Sequence, residues 1–574
     1  MVTWSDVLLW RAAHIETVQD DASAARKAAR EQVQELEAHY SRIASQGLAI
    51  DAMRQALSRV QDELDHAVNA ISAYMLACAE AIDGVRVVEA KVRSALEISE
   101  EIGCTIYDDG SVSIPYIDLS DAVRYGKADV LLGKSNELHM CIADALSIAR
   151  KVDEELRRKL QELAEDRFEQ NGPKEGRHSA SPGLPDDADE SWSPSEVSAW
   201  WGALTDEERQ ACIERDPLKY GNLDGIDMAS RDKANRMALY GYDTGGNASI
   251  RLGSTGLLQQ AQDKFDQAQA AYDDCVGAHG LFSDEAMALK AERDRAGRDL
   301  ADLQKIDERL RKGAGEDGEP VSLLALDTSG EQVKAAVAVG DVDHAQHVAN
   351  FTPGMGTNVR DSLDNYVDVA DRMRTNAADQ TEVKKSDVAV VAWLNYDAPT
   401  DITKTWDTDV ASTEKAHAGA DRLAGFLTGV RSWRDEQGGS LHLTSVSHSY
   451  GSTTAGFAMR QMGEGVVDDH IYLGSPGSAA YTVGALGVDP SHVWVSAVPE
   501  GDMVQGMGPD ITFGRNPEQL EGIQHLSGDA TGAQGYVPNP WSPIANHSSY
   551  FAPPKPGERN KVFDDICSVV VGMK

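Results

Sequence analysis

From Val321 onward, short apolar runs alternate with helical ones, and this alternation constrains the fold more than any other feature. Leu323–Leu326, Ala335–Val339, His347–Thr352, Val388–Leu394, Leu441–Val446, Ile471–Leu473 and Val493–Ala497 read as strands. Residues 358–376, 412–435, 451–462 and 517–525 read as helices. Strands that alternate with helices predict an α/β fold, a mostly parallel sheet with helices on both faces.

The upstream half reads differently. Residues 1–168 are patterned as long helices. Met53, Leu57, Val60, Leu64, Ala67, Ile71, Tyr74, Cys78, Ala81, Val85, Val88 and Val92 recur at alternating steps of four and three. That is the seam of a coiled coil. A helix around residues 16–45 can pair with it as an antiparallel hairpin. Ile106–Val112, with Asp108-Asp109-Gly110-Ser111 at its centre, reads as a tight turn between two short extended pieces. Another helix is expected from about Ala128 to Phe168. Residues 169–193 are rich in Gly, Pro, Ser and Asp and read as a flexible linker. Residues 194–255 form a helical module, with Trp200 and Trp201 as core anchors ahead of Gly221-Asn222-Leu223-Asp224-Gly225. Residues 256–320 are a charged helical hairpin turning near Gly277–Gly280, and residues 321–574 are the α/β domain.

Composition removes several classes of function. The 574 residues carry 54 Lys and Arg against 93 Asp and Glu, a net charge of −39. A chain that acidic is not expected to bind nucleic acid or an anionic membrane. Its six Cys are scattered without a C-x-x-C pair, so neither a zinc site nor a disulfide framework is expected. No EF-hand spacing appears. Gly133-Lys134-Ser135 ends like a P-loop, but Ala128 stands where its first Gly is required. No metal and no cofactor are expected. No transmembrane run and no Sec-type leader are legible, so the expected compartment is the cytoplasm.

The segment that carries chemistry is Leu441-His442-Leu443-Thr444-Ser445-Val446-Ser447-His448-Ser449-Tyr450-Gly451-Ser452. An apolar strand runs into Ser-x-Ser-x-Gly and then into a helix of small residues, the setting of a nucleophile elbow. Gly451 meets the need for a small residue after the turn, and Ser447 replaces the usual first Gly. A serine needs a base, and the base needs an orienting acid. In the order nucleophile, acid, histidine, the chain supplies Ser449, Asp502 in the loop past a β-run, and His547. Glu500 is the main rival to Asp502, with Asp468 and Asp469 behind it. His448 is read as packing or loop support, because adjacent residues at an elbow point apart. The oxyanion hole is expected from the backbone N–H of Tyr450 and that of Met355 or Gly356, in Phe351-Thr352-Pro353-Gly354-Met355-Gly356-Thr357.

These residues resemble an actinobacterial α/β-hydrolase family of uncharacterised function, whose serine lies in a (Gly/Ser)-His-Ser-Tyr-Gly-Ser motif. The match includes Pro353–Thr357, Trp393–Pro399, Ser447–Ser452, Gly474–Gly477, Gly501-Asp502 and His547–Tyr550. Upstream it includes Trp200-Trp201, Gly221–Gly225, Arg231 and Asn235. It covers roughly residues 194–574, with the charged hairpin as a variable insert. The resemblance implies an α/β-hydrolase fold and a Ser-His-Asp triad, and no substrate. More loosely, the first 168 residues resemble the helical hairpins of WXG-type proteins exported by type VII secretion, which makes export by a type VII-like route the alternative to the cytoplasm. Tyr125–Asp129 fits a Tyr-x-x-x-(Asp/Glu) export pattern, and Trp200-Trp201-Gly202 lies outside the hairpin turn.

The expected function is therefore a serine hydrolase that cleaves a small-molecule ester, thioester or amide through an acyl-enzyme. Residues 503–546, rich in Gly, are expected to form a flap over the site. The competing expectation is a non-enzymatic, type VII-like secreted or scaffold protein with a degenerate hydrolase domain. The 53–92 seam would then serve a helical partner chain or self-association.

Overall fold

The computed structural model describes residues 2–574 apart from 42–46, 114–127, 166–183, 242–254, 381, 401–408, 499–501, 503 and 538–544. Tyr125, Glu500 and most of the expected linker lie outside the described residues. The chain divides into two bodies, one of residues 1–118 and 138–211, the other of residues 119–137 and 212–574. The division cuts the expected 194–255 module. Trp200 and Trp201 fall in the first body and Gly221–Gly225 in the second.

The first body is helical. Its long helices are Ala12–Ser41, Leu48–Ile102 and the part of Ala128–Ala164 from Leu138. The first packs against the second. The seam is buried only in its second half. Cys78, Ala81, Val85, Val88 and Val92 are covered, whereas Met53 is 49% and Val60 45% exposed. Val88, Val92, Ala95 and Ile98 pack against Leu138, Cys141, Ile142 and Ala145 of the third helix. Periodicity marks an apolar face; what covers it is set by where the partner helix lies. The predicted turn is a hairpin, β1 (Thr105–Ile106) against β2 (Val112–Ser113), with Gly110 at φ 83°. Residues 184–193 are not a loose tether: Leu184 and Ala188 are buried, and Pro185 accepts a 2.9 Å hydrogen bond from the Trp200 indole.

The second body is the α/β domain. Among its described residues, eight strands form one sheet: β3 (Val321–Asp327), β4 (Lys334–Val339), β5 (His347–Thr352), β6 (Val388–Leu394), β7 (His442–His448), β8 (Asp469–Leu473), β9 (Val493–Ser496) and β10 (Gln524–His525). Their order is β10-β9-β8-β7-β5-β6-β4-β3. All neighbours are parallel except β3 with β4 and β4 with β6. β4, β6 and β8 are buried along their whole length, which is why Ala335–Val339, Val388–Leu394 and Ile471–Leu473 within them read as apolar runs. The helices Val359–Gln380 and Lys561–Val570 contribute to the core on one face. Glu414–Glu436 and Tyr450–Met459 contribute to the other. The charged hairpin is present as Leu257–His279 and Asp284–Lys312. The expected helix over 517–525 is instead a 3-10 turn at Pro517–Gln519 followed by β10.

The Gly221–Gly225 element has a structural task. β3 is an edge strand, and an open edge leaves backbone groups unpaired. Side chains fill them. Asn222 donates to Leu326 O at 2.9 Å and accepts from Leu326 N at 3.1 Å. Asp232 accepts from Leu323 N, Asn235 donates to Leu323 O at 3.0 Å, and Arg231 Nε donates to Leu324 O at 2.7 Å. Arg236 donates to Val321 O at 2.6 Å. The strand thus has β4 on one side and a row of side chains on the other.

Candidate active site

Ser449 sits between β7 and the helix Tyr450–Met459 with φ 57° and ψ −137°. A left-handed conformation at a residue with a Cβ costs about 1–3 kcal/mol, and such strain collects at functional turns. The surroundings hold it there. The Ser449 N–H donates to Leu473 O on β8 at 3.0 Å. A Cβ at Gly354 would lie 2.5 Å from the Ser449 Cβ, and one at Gly451 would run into the Pro353 carbonyl. Ser447 takes the place of a glycine without clash, because its hydroxyl donates to Ile471 O at 2.8 Å.

Asp502 and His547 meet at the same end of the sheet. His547 Nδ1 lies 2.8 Å from one carboxylate oxygen of Asp502 and 3.0 Å from the other. The Asp502 side chain is 1% exposed. The Tyr550 hydroxyl donates to it at 2.7 Å and the Val504 amide at 3.0 Å. Burial alone would raise the carboxyl pKa. The hydrogen bond and charge of His547, then Tyr550 and Val504, bring it below the usual value. Burial and the Asp502 charge push the Tyr550 phenol well above its ordinary range, so it remains a donor. Gly474, next after Leu473, lies under this pair at φ 53°; a Cβ there would run into Asp502 and touch the His547 ring. Leu473 and Gly474 therefore link the serine's backbone to the His–Asp pair. His547 Nε2 is buried without a hydrogen bond, and it is not bonded to Ser449.

The turn that carries His547, Ala545–Phe551, is fixed by amides. Asn546 exchanges two 3.0 Å hydrogen bonds with the Val537 backbone. Asn560 donates to the carbonyls of Ser549, Tyr550 and Ala552.

The expected oxyanion donors divide. Tyr450 is the first residue of its helix, where backbone amides lack intrahelical acceptors. Gly356 donates its N–H to Pro399 O at 2.7 Å, so it is not available, and of the two alternatives Met355 remains. The Asp468 and Asp469 alternatives are engaged elsewhere. Asp468 accepts from Arg431 and from Leu443 N, and Asp469 meets His442, His492 and Trp494. The described part of the expected flap is pinned down: Gly506 N donates to Ser475 O at 2.7 Å and Gly508 N to Pro476 O at 2.9 Å. Sequence reasoning missed the roles of Tyr550 and Gly474. Among the described residues, no group of three or more His, Cys, Asp or Glu side chains is placed to hold a metal ion. No helix among them is long and apolar enough to cross a membrane.

Comparison with known proteins agrees with this fold. A sequence model of the alpha/beta hydrolase family matches residues 328–512, a span that holds Ser449 and Asp502 but not His547. The uncharacterized protein Rv2079 of Mycobacterium tuberculosis is 29% identical over 341 residues, covering 57% of this chain and 47% of the relative. The chain thus spans about half the length of that relative. The uncharacterized protein Mb0988c of Mycobacterium bovis is 33% identical over 235 residues, 40% of this chain and 83% of the relative. With its mostly parallel sheet and this match, the C-terminal part of the chain is an alpha/beta hydrolase domain, and the chain belongs to one family with the uncharacterized Mycobacterium bovis protein.

Proposed function

We propose that the chain is a serine hydrolase acting by acyl transfer on a small ester, or on a thioester or amide. The observation that carries this reading is the His547–Asp502 hydrogen bond, 2.8 Å long. It leaves Nε2, the nitrogen a base would use, without a partner. In the reaction, Ser449 Oγ attacks the acyl carbon while its proton passes to His547 Nε2. The new Oγ–C bond leaves the carbonyl oxygen negatively charged, and the N–H groups of Tyr450 and Met355 stabilise it. The bond to the leaving group then breaks, and His547 returns the proton to the departing oxygen, sulfur or nitrogen. Water repeats the sequence on the acyl-enzyme and restores Ser449. Asp502 keeps the proton of His547 on Nδ1 and stabilises the imidazolium. The Ser–His contact forms when substrate binds, as catalytic hydrogen bonds are often open in the free enzyme.

The test is hydrolysis of short-chain p-nitrophenyl esters by the full chain. Turnover that disappears in Ser449→Ala supports the reading. Turnover equal in parent and variant contradicts it.

A further inference from the structure

Resting on this acyl-transfer reading, we propose that His448 is a positioning residue that holds the base His547 in register with Asp502. It is the last residue of β7, directly before the serine, yet it reaches a turn 99 positions away. Its Nε2 lies 2.7 Å from the backbone carbonyl of His547. A carbonyl only accepts, so Nε2 carries the proton and donates. Its ring also stacks on the His547 ring, centroids 4.5 Å apart and planes tilted by 31°. Tyr550 and Phe551 close on it edgewise at 5.6 and 5.4 Å. The side chain is buried.

The arrangement excludes His448 as a base and gives it another task. Burial, and then the neighbouring His547, push its pKa down to about 3, so it is neutral wherever the enzyme would be assayed. Its donor nitrogen is committed to the carbonyl. His547 is thus held along one edge by Asp502, on one face by the His448 ring, and through its backbone by the same His448. Because His448 and Ser449 are adjacent, the strand end that aims the nucleophile also aims the base. Catalytic geometry lost by about 1 Å can lower a rate by about 100-fold, so such a clamp has a measurable effect.

The experiment compares the full chain with His448→Phe, which keeps a stacking ring but loses the donor, and His448→Gln, which keeps a donor but loses the ring. Ester turnover and the low-field proton resonance of the His547 Nδ1–H on Asp502 are both read. In the Phe variant, kcat is expected to fall about 10–100-fold with KM within about twofold, and the resonance to shift or broaden. The Gln variant is expected to recover most of kcat. Parent-like turnover and an unchanged resonance in the Phe variant, or a Gln variant no better than Phe, would overturn the proposal. If the parent hydrolyses no ester, the acyl-transfer reading fails separately. The resonance then decides alone: a shift in the Phe variant keeps the clamp, and an unchanged signal removes it. Should the Phe variant not fold, His448→Met lacks the same donor and takes its place.

Discussion

The Tyr550 hydroxyl is shared between Asp502 and the backbone of Val498: it donates to the carboxylate at 2.7 Å and accepts the Val498 N–H at 3.1 Å. The acid is thereby tied to the end of β9 and to the turn that carries His547. Tyr550→Phe removes both bonds while leaving the ring in place. A hydrogen bond to a charged group is worth about 1.5–3 kcal/mol. Steady-state kinetics on the variant are therefore expected to show kcat lower by about tenfold or more, with KM little changed.

Gly474 tests the same site from beneath. A Cβ there meets Asp502 and His547 and also requires a left-handed backbone. Gly474→Ala is expected to fold with a lower melting temperature and to lose at least about tenfold in kcat/KM, through displacement of the His–Asp pair. A variant with parent-like kinetics would place the pair elsewhere.

The opposite end of the sheet predicts a pH dependence of stability. His442 Nε2 pairs with the buried Asp469 at 3.0 Å. Burial lowers the histidine's pKa, but the Asp469 hydrogen bond and charge, then Asp468 and the Val569 carbonyl, raise it above its ordinary value. A pKa raised on folding contributes stability that is fully present below the unfolded value. It is lost as pH rises through the folded one. His442→Gln is therefore expected to lower the urea midpoint more at pH 6 than at pH 9. An equal loss at both would remove the charged pair from the account.

The capped edge of β3 predicts a stability cost without a kinetic one. Asn222→Ala leaves both Leu326 N and Leu326 O without their side-chain partner. Unmaking such bonds costs about 1–3 kcal/mol. Urea unfolding is expected to show that loss, while kcat of the folded variant remains that of the parent.

Much of the α/β domain was legible from the sequence because its strands are buried on both faces. The runs for β5 and β6 began and ended where the strands do, and the order serine, acid, histidine drew attention to Asp502 and His547. What was not legible depends on through-space partners. Gly356 reads as an amide donor until Pro399, distant in sequence, takes its N–H. Tyr550 and Gly474 stood inside motifs, but nothing local says that both face Asp502. Gly522, held at φ 86°, breaks the helix that the 517–525 pattern suggested, and Pro517 only opens a single 3-10 turn. The 53–92 seam marks an apolar face and not its cover: its second half is buried, whereas Met53 and Val60 are exposed and Leu57, Leu64, Ala67 and Ile71 are only half-buried. The closing helix Lys561–Val570 has an apolar face at Val562, Phe563, Ile566, Val569 and Val570 and was within reach of the same periodicity.

The most direct test of the account is covalent. The full chain is treated with a fluorophosphonate, digested, and the adduct located by mass spectrometry. A single adduct on Ser449, slowed in His547→Ala and absent in Ser449→Ala, is the predicted result. A folded parent that takes no label, or one labelled at another serine, would contradict the assignment of Ser449 as the nucleophile.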